Sequence, residues 1–131
     1  MFNIFNKKNK GTDSQINNTQ QYSEQDINNN HSEIEILRNQ IAIESDQKII
    51  SELYNQIGNL YLRIDEQENA VEAFELGFAN YKQMGENYKQ LLSLYTKLQI
   101  GAAVKSDFNT ERIYSEKLNE LRNDAKKMVT Q

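Results

Sequence analysis

Residues 51–84 read SELYNQIGNLYLRIDEQENAVEAFELGFANYKQM, and their apolar spacing decides the fold class. Together with Ile50, the side chains of Leu53, Tyr54, Ile57, Leu60, Tyr61 and Ile64 recur at steps of three, one and three, which is one face of a helix. Strand-type alternation is absent. Asp65, with Glu68 three residues on, offers an N-cap and acceptor pair for a second helix. Its face is Ala70, Ala73, Phe74, Gly77, Phe78 and Tyr81, and Gly85 supplies a stop. A helix with one apolar stripe must cover that stripe with a neighbour, so a short connection between two such helices predicts an antiparallel hairpin.

The same period continues on both sides. Tyr88, Leu91, Leu92, Tyr95, Leu98 and Ala102 predict a helix over 86–104. Tyr114, Leu118, Leu121, Ala125 and Met128 predict another over 108–128, with Lys126 and Lys127 suited to its C-terminal dipole. Upstream, Ser32 and Glu35 have capping-box spacing, and Ile34, Leu37 and Ile41 mark a first helix from about 33 to 44. The expectation is an all-α domain over 32–131, about five helices in stacked antiparallel hairpins. A chain of 131 residues with no proline and five glycines suits that composition.

Residues 11–31 are different. They hold nine Asn or Gln, no Lys or Arg, and only Ile16, Tyr22 and Ile27 as sizeable apolar groups, too little to offset the entropy of ordering. The sequence therefore predicts a flexible polar linker there, with His31 as a linker residue. Residues 1–10, MFNIFNKKNK, place Met1, Phe2, Ile4 and Phe5 before Lys7, Lys8 and Lys10. The run is too short for an export signal and its charges follow the apolar part, so a cytoplasmic location is expected. The same arrangement could rest weakly on an anionic membrane surface.

Residues 51–84 resemble one 34-residue tetratricopeptide repeat, through Tyr54, Ile57, Gly58, Tyr61, Ala70 and Phe74 at its packing positions. Gly77 stands where the family usually has Ala, and Lys82 where it has Pro. Tyr88, Leu91 and Tyr95 follow in phase 34 residues later. Val104 and Phe108 then break the pattern, and Tyr114 and Leu118 restore it if ten residues enter at the turn. That insertion implies a second hairpin whose helices are each about five residues, or roughly seven to eight ångströms, longer than those of the first. The resemblance also implies that the first helix of each repeat lines a groove for a peptide or a partner's helix. The matching positions are Glu52, Asn55, Asn59 and Arg63, then Lys89, Ser93, Thr96 and Lys97. Asn amides can pair with a peptide backbone, and the cations with carboxylates. Only Asn59 and Lys89 correspond to the family's carboxylate clamp, so that specificity is not expected.

These readings make the chain a non-enzymatic adaptor for a protein or peptide partner. The competing reading is a homodimer through Ile36, Ile43, Ile50, Ile57 and Ile64, spaced by seven, with Leu53 and Leu60 at d positions. Asn39 and Asp46 at the earlier d positions oppose it, and Ser45 with Asp46 resembles a helix start. With a net charge of −4 and dispersed Lys and Arg, the broad basic surface of a nucleic-acid binder is missing. There is no cysteine, one histidine, no Gly-rich phosphate loop and no HExxH pair, so no catalytic, metal or cofactor site is expected. Glu66, Glu68, Glu72 and Glu75 are expected to be solvated.

Overall fold

The computed structural model describes residues 22–130, which form five helices and no strand. They are α1 (Glu24–Ile43), α2 (Gln47–Arg63), α3 (Gln67–Asn80), α4 (Glu86–Val104) and α5 (Phe108–Thr130). Each helix packs on the next along the chain, and α2 also touches α4. The N-terminal peptide and residues 11–21 of the expected linker lie outside the described residues.

The first helix starts well before the position the sequence suggests. Ser23, not Ser32, is its N-cap, with Oγ accepting from the Asp26 amide at 3.0 Å. Residues 24–31 are therefore helical, and Ser32 and Glu35 lie inside α1. Asp26 and Glu24 in the first turn favour the dipole there, a local signal that the polar composition concealed. The chain then breaks at Glu44–Asp46, where Asp46 caps α2 by accepting from the amides of Lys48 and Ile49. That break ends the isoleucine heptad as a continuous seam. Ile50, Ile57 and Ile64 are buried within the chain, whereas Ile36 and Ile43 face solvent.

The turns closing the α2–α3 and α4–α5 hairpins are built alike. At the first, the amides of Asp65 and Glu66 donate to the carbonyls of Leu62 and Tyr61. At the second, those of Ser106 and Asp107 donate to Ala103 and Ala102. Asp65 (φ 60°) and Ser106 (φ 58°) occupy the left-handed region that such helix ends require. Asp65 is thus the end of α2 rather than the N-cap of α3; Glu66 holds that place, without a side-chain cap. At α5, the Asp107 carboxylate accepts from the Thr110 amide, and its bonds to Thr110 hold its pKa below the usual carboxylate range.

Two apolar clusters hold the helices together. Ile34, Ile57, Leu60 and Ala73 join α1, α2 and α3, with Leu37, Ile41, Tyr54 and Tyr61 packed around them. Ala70, Val71, Phe74, Phe78, Leu91, Leu94, Tyr95, Leu118 and Leu121 join α3, α4 and α5, with Tyr88 and Tyr114 at their edge. Gly58 lets the Phe74 ring lie against α2: a Cβ there would stand 2.4 Å from the ring. Phe74 is fully buried, and truncating such a ring to alanine costs about 3–5 kcal/mol.

The second hairpin outreaches the first. Ser106 comes 18 residues after Tyr88, and Asp65 only 11 after Tyr54. The extra seven residues of α4 add about 10 Å, more than the five-residue symmetric extension the sequence implies. Leu98 sits beside the Asp65–Asn69 turn, so α4 from Gln99 onward projects past it. Ile100, Val104 and Phe108 on this projection are exposed.

Candidate functional site

Where α2 meets α4, amide side chains form a chain of hydrogen bonds. Asn87, buried in the first turn of α4, donates through Nδ2 to the Ser51 carbonyl at 3.1 Å and to Ser51 Oγ at 2.9 Å. Its Oδ1 accepts from Asn55 Nδ2 at 3.1 Å, and Asn55 Oδ1 accepts from Asn59 Nδ2 at 3.2 Å. Asn87 fits there because Gly77 faces it: a Cβ on Gly77 would lie 2.5 Å from Asn87 Nδ2.

Beside this network opens a cleft of about 330 Å³ bounded by Lys48, Glu52, Asn55, Gln56, Tyr81 and Glu86. It falls at the lower end of the volumes that hold small ligands or a few peptide residues. Asn87, which spends both Nδ2 hydrogens on Ser51, and the half-buried Asn55 lie at its floor, and Lys48, Glu52 and Glu86 stand exposed at its edge. Such a surface offers both donors and acceptors to an extended backbone. A second cleft, about 340 Å³, lies between α1 and α2.

The eight groove positions expected from the sequence divide among these places. Glu52 and Asn55 line the first cleft, and Asn59 and Arg63 the second. Lys89, Ser93, Thr96 and Lys97 line neither of them. Lys89 stands 3.7 Å from Glu86 across an exposed turn, and Thr96 Oγ1 donates to the Leu92 carbonyl of its own helix. Asn55 and Asn59 are half-buried and spend part of their hydrogen bonding on each other and on Asn87. Among the nine packing positions, Ile57, Gly58, Ala70, Phe74, Leu91 and Tyr95 are buried, and Tyr54, Tyr61 and Tyr88 are half-buried.

Lys48, Ser51 and Asn87 were not foreseen at this site. The signal for Asn87 was present in Gly77, a residue smaller than the position ordinarily carries, since a missing methyl implies a neighbour in its place.

Two of the acids expected in water are engaged. Glu75 is half-buried between α3, α4 and α5, accepting from the Tyr95 hydroxyl at 2.5 Å and from Lys117 Nζ at 2.9 Å. Burial, and then the bond to Glu75, push the Tyr95 phenol well above its usual range. Lys117 also lies 5.8 Å from the Tyr95 ring centre. Glu66 is 3.1 Å from His31 Nε2, and its other oxygen accepts from Asn69 at 2.8 Å. His31 thus belongs to α1 and ties it to the α2–α3 turn, rather than to a linker.

Among the described residues no group of three or more His, Asp or Glu side chains is placed to hold a metal ion, and no helix is long and apolar enough to cross a membrane. No protein-family model matches the chain, and comparisons with curated proteins and with solved structures find no match.

Proposed function

We propose that this protein is a non-enzymatic interaction module of tetratricopeptide-like design, holding an extended peptide or a helix of a partner protein along the exposed side of α2 and α4. The observation that carries the reading is the 330 Å³ cleft between those helices, floored by Asn55 and Asn87 and edged by Lys48, Glu52 and Glu86. Its support from the chain is the 34-residue spacing of Tyr54 and Tyr88 on two consecutive hairpins. Mixed charge at the edge and amides on the floor suit a polar peptide better than an apolar ligand.

The test is affinity capture by the intact chain and by a Lys48→Glu, Glu52→Arg variant, both residues being exposed, with melting curves showing that the two fold alike. A partner retained by the parent and lost by the variant is the expected result. Equal capture by both would remove this cleft from consideration.

Of the isoleucine heptad, the homodimer alternative keeps Ile36 and Ile43, 57% and 87% exposed on α1. Light scattering across a hundredfold concentration range separates the two readings, because a constant monomer mass is incompatible with pairing.

A further inference from the structure

Six large apolar side chains among the described residues are more than half exposed, and five of them fall in two patches. Ile36 and Ile43, seven residues apart and hence on one side of α1, form the first. Ile100, Val104 and Phe108, on the projecting end of the α4–α5 hairpin, form the second. Single exposed apolar residues are ordinary, whereas grouped ones mark contact surfaces. Within one chain α1 packs on α2 and makes no contact with α4 or α5, so the two patches do not cover each other there.

We infer that α1 of one copy lies along the projecting end of α4 of another, with Ile36 over Ile100, Ile43 over Val104 and Phe108, and Glu33 beside Lys97. Spacing is the first ground for that occupant. In α1 an acid, Glu33, comes three residues before Ile36; in α4 a cation, Lys97, comes three residues before Ile100. Residues three apart are neighbours on a helix surface, so one parallel register makes both matches at once. Seven residues carry Ile43 about 10 Å beyond Ile36, past Val104 at about 6 Å beyond Ile100, and so to Phe108 at the tip.

Charge is the second ground. α1 carries Glu24, Asp26, Glu33 and Glu35, while its Arg38 and His31 are engaged with Tyr61 and Glu66. α4 carries Lys89 and Lys97, with Lys105 at its end. Its acid Glu86 faces Lys89, and the next acid along the chain, Asp107, is spent on the Thr110 amide. Two α1 helices brought together would set acid against acid and leave Lys97 without an opposite charge. The contact uses a different patch on each copy, so it leaves one α1 and one α4 end free. It also leaves open the Lys48–Glu52 cleft at the start of α4, and so goes beyond the function proposed for that cleft without depending on it.

One helix laid on one helix end belongs to the weak, transient class of contacts below about 1,200 Å², so sedimentation equilibrium of the full-length protein is followed up to about 1 mM. The mass of the parent should rise with concentration. An Ile36→Asp, Ile43→Asp variant and an Ile100→Asp, Val104→Asp variant should each stay monomeric alone, yet form a dimer when mixed, because each keeps the face that the other lacks. All four side chains are exposed, and melting curves show whether the variants fold like the parent. Glu33→Lys and Lys97→Glu should each weaken association about threefold or more, and the two changes in one chain should restore it. A constant parent mass, or a mixture that stays monomeric, would overturn the inference. Association of the Ile100→Asp, Val104→Asp variant by itself would assign the contact to α1 with α1, and association of the Ile36→Asp, Ile43→Asp variant by itself would assign it to the hairpin tips. None of these outcomes bears on capture of a partner by the Lys48–Glu52 cleft.

Discussion

Gly77 and Asn87 form a lock whose halves make sense only together. A methyl on Gly77 would overlap Nδ2 and Cγ of Asn87, at 2.5 and 2.8 Å, and Asn87 is held from its other side by Ser51 and Asn55. Gly77→Ala should therefore destabilise the protein by about 1–3 kcal/mol in urea unfolding, even though alanine is the better helix former by about 1 kcal/mol. Adding Asn87→Ser should recover part of that loss; a Gly77→Ala protein as stable as its parent would show that Asn87 can move aside freely. Tyr95 makes a comparable cross-link to Glu75, and Tyr95→Phe should cost about 1.5 kcal/mol at pH 7, the lower range for a hydrogen bond to a charged group, because Lys117 remains on Glu75. Since the folded-state pKa of Tyr95 is raised, its contribution is complete below the unfolded tyrosine value near 10 and falls as pH rises beyond it. The gap between parent and Tyr95→Phe should consequently narrow between pH 9 and 11.5 in denaturant titrations, and a constant gap would contradict the assigned cause.

At the level of helices and turns, the chain reverses twice through left-handed residues that are not glycine. Ser106 has the less suitable side chain of the two, because Asp visits this region more readily. Ser106→Gly should raise stability by about 0.5–1 kcal/mol, read as a higher urea midpoint at unchanged slope; a lower midpoint would mean that the serine side chain contributes more than the strain removes. The four helices from Gln47 onward were legible in the sequence because their apolar period is unbroken and each buries one face. The start of α1 was not, since Asn28, Asn29 and Asn30 are poor helix formers by composition and the helix is set by the Ser23 cap and by docking through Ile34. Asp65 misled in the opposite direction: a residue type common at N-caps serves here as a helix end, and spacing alone does not separate the two uses. The amide network was only half legible. Asn55 and Asn59 could be placed on one face of α2, but the offset that brings Asn87 over Ser51 is set by how α4 docks on α2 and α3.

Across the whole molecule, burial is uneven, and that unevenness predicts how the fold opens. α1 has 20 residues and buries only Ile34, while the 14-residue α3 buries Ala70, Val71, Ala73, Phe74, Gly77 and Phe78 and packs on both α2 and α4. Beyond its apolar contacts, α1 is tied down by His31 to Glu66 and by Arg38 Nη2 donating to the Tyr61 hydroxyl at 2.8 Å, both at exposed positions and so of small net strength. In the linear array each helix depends on its neighbours, and an end helix with one neighbour can detach while the others stay packed. Native-state hydrogen exchange should show the α1 amides opening at several kcal/mol below the global unfolding energy, and the amides of α3 and the inner part of α4 exchanging only with global unfolding. An Ile34→Ala change should speed exchange in α1 while leaving α4 protection nearly unaltered, whereas Phe74→Ala should lower protection from α2 to α5 together. Equal protection in α1 and α3 would mean that the end helix is covered by more than the described contacts provide.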